Sequence, residues 1–256
     1  MCEYCVTRTV DRRQLLCAAG ALVLPALFLP NRATLQLPEA PTTRTHPTIR
    51  PRSDWADSPD VIDLPTEDVK FYIVHHSATH LTHTVDEVPQ ILRDYHGYHT
   101  SPEKGWPDMA YNFLIDRFGV IWEGRTGSID RAVRGDATGG NQGFSQLICL
   151  IGDFTSELPT DAALSSLTLL MASLSVRDGV DVRTGATTSF VSRGSNRWPA
   201  GEIVTSRTIV GHRDMSLTSC PGDTFYPVIT TQLPSWVEKI GPLADASGQL
   251  AIGFTG

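Results

Sequence analysis

The sequence predicts an α/β domain in which helices flank a mixed central β-sheet, and three observations carry that expectation. Strand-like and helix-like runs alternate along the chain, the order that builds a sheet covered by helices. FYIVHH at 71–76 and SQLICLI at 145–151 are apolar at odd and even positions alike, as suits strands buried on both faces. MAYNFLIDRFGVIWEGR at 109–125 is two β-rich runs folded back around Arg117-Phe118-Gly119, a hairpin and therefore an antiparallel pair.

The elements follow in order. In the 71–76 strand, Phe71, Ile73 and His75 share one face and Tyr72, Val74 and His76 the other, because side chains alternate along a strand. TVDEVPQILRDYHGYH, 84–99, reads as a helix. Thr84 is its cap with Glu87 three residues on, and Val88, Ile91, Leu92 and Tyr95 form its apolar face. After the hairpin and the 145–151 strand, Thr160 caps a helix over 161–178 that ends at Gly179. A long polar hairpin and a final strand fill 187–211, Asp223 opens a last helix running to Ile240, and the tail from 241 to 256 is small and polar.

The chain has 256 residues, 41% of them hydrophobic and 19% charged, the composition of a globular protein long enough to bury a core. The net charge is -7 with no basic run beyond the N-terminus, which excludes a nucleic-acid partner that would demand clustered Lys and Arg. Residues 1–33 read as an export signal of the twin-arginine type: Arg12-Arg13 precede an apolar stretch from Leu15 to Pro30. That stretch is short for a membrane span and Pro25 interrupts it, so no stable membrane insertion is expected after cleavage. Removing 1–33 takes away four arginines and two acids and moves the charge from -7 to -9. Cys2, Cys5 and Cys17 leave with it, and only Cys149 and Cys220 remain. Residues 34–50, rich in Thr and Pro, read as a linker, and the folded domain is expected over 51–240.

The stretch GHRDMSLTSCPG, 211–222, carries the chemistry. A kinase-type loop needs an asparagine five residues after the aspartate, where Ser219 stands. A Cys149–Cys220 disulfide and a metal site both remain compatible with the residues. A tetrahedral metal site would join His212 and Cys220 to a third ligand, and the end of the 71–76 strand offers His75 or His76, of which alternation lets only one face the pair.

FYIVHHSAT, GWPDMAYNFLIDRFGVIWEGR, SQLICLIGDF and GHRDMSLTSCPG occur in this order. Together they resemble the peptidoglycan recognition protein and type-2 N-acetylmuramoyl-L-alanine amidase family from about Pro51 to Ile240. SFVSRGSNRWPAGEIV, 189–204, is similar to a hairpin of its secreted actinobacterial members. The resemblance implies a Zn²⁺ ion held by His75, His212 and Cys220, with Tyr111 and Thr218 as catalytic groups. It implies hydrolysis of the amide between the lactyl group of muramic acid and L-alanine. His99, Trp106, Arg125 and Asn141 are its implied substrate contacts, although Arg125 reads more readily as a structural hydrogen-bonder and Trp106 equally as a packing residue. Family members usually read GAHAxGxN where this chain has GDATGGN at 135–141, so Ala137 replaces a groove histidine and Asp136 adds a charge. The expected activity is that of an exported, monomeric zinc amidase acting on peptidoglycan or muropeptides. The alternative is a peptidoglycan-binding module with little or no catalysis.

Overall fold

A computed structural model describes residues 47–57, 62–79, 82–140 and 142–242; the segment expected to be an export signal, most of the expected linker and the tail from 243 lie outside them. Among the described residues eight strands appear in chain order: β1 (Ile49–Arg50), β2 (Phe71–His76), β3 (Phe113–Ile115), β4 (Ile121–Glu123), β5 (Ser145–Leu150), β6 (Thr187–Val191), β7 (Ile203–Arg207) and β8 (Ile209–Gly211). Five helices join them: α1 (Val88–His99), α2 (Asp161–Asp178), α3 (His212–Met215), α4 (Tyr226–Thr231) and α5 (Leu233–Ile240). Six strands form one sheet in the order β1-β4-β3-β5-β2-β8. The β3–β4 pair is antiparallel and the other neighbours run parallel, so the sheet is mixed, as expected.

β2 sits between β5 and β8 with all six residues buried. Its alternation sorts the core. Tyr72 and Val74, with Ile148 and Leu150 of β5, pack against Leu164, Leu167 and Met171 of α2 and Val237 of α5. Cys149 and Leu114 meet Val88, Leu92 and Tyr95 of α1 on the opposite side. Each fully buried Leu or Ile contributes roughly 1.5–3 kcal/mol.

Local signals explain the boundaries. The Thr84 N–H donates to the Glu87 carboxylate at 2.7 Å ahead of α1. Thr160 Oγ1 accepts the Ala163 N–H at 3.2 Å to cap α2, and Gly179 ends it in the left-handed conformation at φ 67°. The β3–β4 turn is organised by Asp116, whose carboxylate accepts from the N–H groups of Phe118 and Val120 and from Trp122 Nε1.

Two expectations are corrected. The last helix is two helices, starting at Tyr226 and broken at Gln232. Pro234 has no N–H and its ring would clash with the carbonyl one turn back, so α4 cannot run through it. Asp223 does not open the helix; its carboxylate is drawn to Arg213 at 2.8 Å. The linker reading also extended over Ile49 and Arg50, which form β1 beside Ile121 and Trp122. No helix of the described residues is long and apolar enough to cross a membrane.

Candidate metal centre and groove

The site lies where parallel strands end. β2 finishes at His75-His76, and β8 runs beside it into α3, whose first residue is His212. The chain then loops back to Cys220. That loop is braced from within. Asp214 accepts the Gly211 N–H at 2.9 Å and the Tyr226 hydroxyl. The Arg213 N–H donates to the Cys220 carbonyl at 3.0 Å, and its guanidinium donates to the Ser219 carbonyl.

The ligand atoms of His75, His212 and Cys220 all lie within 4.8 Å of one another, the one such cluster among the described residues. His75 Nδ1 is 3.8 Å from Cys220 Sγ, and the two imidazole rings are 4.4 Å apart. Burial, reinforced by the neighbouring histidines, holds the pKa of His75 well below its ordinary value, and burial brings His212 down to about 4. Both rings are therefore neutral at neutral pH, the form that ligates a metal. His75 Nε2 is buried without a hydrogen-bond partner, while the His76 N–H donates to Cys220 Sγ at 3.4 Å. Two imidazoles and a thiol fit a zinc-type tetrahedral ion with one position left for water.

Alternation resolves as the strand geometry requires. The His76 ring turns away toward Phe154, whose N–H it accepts at Nδ1, 3.3 Å away. No disulfide joins Cys149 and Cys220.

A pocket of about 110 Å³ opens at the cluster, lined by residues that include Tyr111, His99, Trp106, Ala137 and Lys104. The Tyr111 ring stands 5.1 Å from that of His75 and 5.4 Å from that of His99. Its neighbour Asn112 fixes its place: Nδ2 donates to Ser128 Oγ and the Val133 carbonyl, and Oδ1 accepts the Leu147 N–H. His99 is buried, accepts the Ala110 N–H, and is brought down to about 4 by burial and by the charge of His96. Trp106 lies 5.3 Å from His99. Thr218 sits on the loop before Cys220, whose N–H its hydroxyl accepts at 3.2 Å.

Arg125 is 2% exposed, donates to the Met109 carbonyl and pairs with Asp136 at 2.6 Å, the partners of a structural hydrogen-bonder. Asp136, the departure at 135–141, is largely neutralised by that pair. Asn141 lies outside the described residues. The sequence reading missed Tyr95, Tyr98 and Lys104, which also line the pocket. Tyr95, Tyr98 and His99 fall at i, i+3 and i+4 of α1, a spacing that places them on one helix face.

An α/β domain thus carries, beside a groove, a His-His-Cys cluster that could hold a metal ion. The N-acetylmuramoyl-L-alanine amidase family model matches residues 65–223, and the chain belongs to that family. It is 32% identical over 184 residues to peptidoglycan recognition protein 1 of Mus musculus, covering 71% of this chain and 85% of that one. It is 27% identical over 193 residues to the N-acetylmuramoyl-L-alanine amidase of Homo sapiens, covering 72% of this chain but only 28% of the human protein. Among solved structures, Drosophila PGRP-LB superposes with a TM-score of 0.55 at 26% identity, covering 72% of this chain and 93% of that one. Human PGRP-IBETAC in complex with glycosamyl muramyl pentapeptide gives 0.53 at 25%, covering 73% and 96%.

Proposed function

We propose that this protein is a zinc-dependent amidase that cleaves the bond between the lactyl group of muramic acid and L-alanine in peptidoglycan. The observation that carries the reading is the His75, His212 and Cys220 cluster, with its neutral imidazoles, at the mouth of a groove walled by aromatic side chains. A zinc ion held there by His75, His212 and Cys220 would supply Lewis acidity and lower the pKa of a bound water toward about 7. The protein's own groups do the rest. Tyr111 Oη would donate a hydrogen bond to the oxygen on which negative charge develops, and the Thr218 hydroxyl would donate to the same oxygen. Trp106 and His99 present ring faces to the substrate, while Asn112 and Gly124 keep Tyr111 from shifting: a Cβ on Gly124 would meet the Tyr111 carbonyl at 2.5 Å.

The intact cluster and Tyr111 favour catalysis over a purely binding role, which would not need a water position beside a hydroxyl donor. Mass spectrometry of products from a defined muropeptide tests the reading. Free stem peptide is expected from the zinc-loaded protein and none from Cys220→Ala, which should also lose its zinc. Binding without any product would leave the recognition-module reading in its place.

Export by the twin-arginine route is part of the proposal, supported by Arg12-Arg13 ahead of the apolar 15–30 stretch. Changing both arginines to lysine should block export; normal export of that variant would sink the assignment. The hairpin at 187–207 supports kinship with the secreted actinobacterial type.

A further inference from the structure

The β6–β7 hairpin carries none of the proposed ligands or catalytic groups, yet its tip reaches the loop between His212 and Cys220. Three hydrogen bonds join them. Trp198 Nε1 donates to the Asp214 carbonyl at 2.9 Å, Ser195 Oγ donates to the Met215 carbonyl at 2.9 Å, and Asn196 Oδ1 accepts the Leu217 N–H at 2.8 Å. The hairpin itself is seated. Phe190 stacks on Phe71 and Phe144, Arg193 pairs with Glu67 at 2.7 Å, and the Gly194 carbonyl lies against Gly140 so closely that only glycine fits there.

The loop needs such a support at one place. Residues 216–219 form no helix or strand, and the Leu217 side chain is 59% exposed, so apolar burial does not fix the backbone beside Thr218. A hydrogen bond from outside the loop does. We infer that the hairpin tip is a splint for this loop, with Asn196 and Trp198 as positioning residues that set where the Thr218 hydroxyl points. The inference rests on the amidase reading for its effect on turnover. Its structural half, immobilisation of Leu217, is independent of that reading.

The test compares zinc-loaded wild-type protein with an Asn196→Ala/Trp198→Phe double variant, which removes two hydrogen bonds and keeps an aromatic ring. With both bonds gone, kcat on a muropeptide should fall about tenfold with KM unchanged. Zinc should remain at one per chain, and Leu217 amide exchange should speed up by a similar factor. Asn196→Asp keeps the acceptor and should restore the exchange protection of the single Asn196→Ala variant. In a Thr218→Val background the double variant should cost nothing further in kcat. Full additivity there, loss of zinc from the double variant, or unchanged Leu217 exchange would each overturn the inference. If wild-type protein releases no product, the amidase reading fails, and Leu217 exchange alone decides the splint.

Discussion

Arg125 and Asp136 form an ion pair at 2.6 Å in which the guanidinium is 2% and the carboxylate 15% exposed. The pair is tied to the segment that leads into Tyr111, because Arg125 also holds the Met109 carbonyl. Removing one partner leaves a buried, unpaired charge, which costs about 3 kcal/mol. Asp136→Ala should therefore lower the denaturation midpoint with its slope unchanged, and an unaltered midpoint would show that the pair contributes nothing.

Tyr111→Phe removes one hydroxyl and leaves the ring against His75 and His99. Loss of one donor to a developing oxyanion costs roughly a hundredfold in kcat. Zinc content should be unchanged in this variant. Clearing of peptidoglycan in zymography should be lost or strongly reduced; undiminished clearing would move the chemistry elsewhere.

The buried histidines set a pH dependence. His99 is held near 4 in the fold, mainly by burial, and His76, also mainly through burial, is held at about 4. In the unfolded chain both titrate near 6.5. Between pH 6.5 and 4 the unfolded state binds the extra protons, so stability falls as pH falls through that window and is unaffected above it. His99 alone accounts for about 3 kcal/mol at 1.4 kcal/mol per pKa unit. Thermal unfolding of metal-free protein from pH 7 to 4 should show the decline, and His99→Gln should make it shallower. Equal slopes for the two proteins would rule His99 out as a source.

Gly140→Ala would place a Cβ inside the van der Waals radius of the Gly194 carbonyl oxygen, a backbone atom that cannot swing aside. The strain should cost about 1–3 kcal/mol. Limited proteolysis should cut the β6–β7 hairpin faster in this variant than in the wild type. Equal cutting would mean the two segments do not depend on each other.

Long elements with strong periodicity were legible in the sequence. The 71–76 alternation sent Phe71 and Ile73 to one side of the sheet and Tyr72 and Val74 to the other, because a strand surrounded by neighbours has no other way to bury them. Thr160 and Gly179 marked both ends of α2 because capping is local chemistry. β1 was not legible: a two-residue strand has no period and exists only through its pairing with β4. The break at Gln232 was legible in principle, since Pro234 announces it. Alternation left His75 and His76 as alternatives for the third position, and the resemblance selected His75, the residue found within reach of His212 and Cys220. Arg125 kept two readings in the sequence because nothing in EGR tells whether an arginine points into a groove or beneath it. That depends on Asp136, brought alongside by the fold.

The bracing of the 212–220 loop bears on the order of events in the life of the protein. Gly211, Asp214 and Tyr226 are tied to one another, and Arg213 to Ser219 and Cys220, by bonds in which no metal atom takes part. Folding can complete this cage before an ion arrives. His212 and Cys220 are then held ready by the protein's own hydrogen bonds, so an ion would meet a cage already built and would not have to gather its ligands.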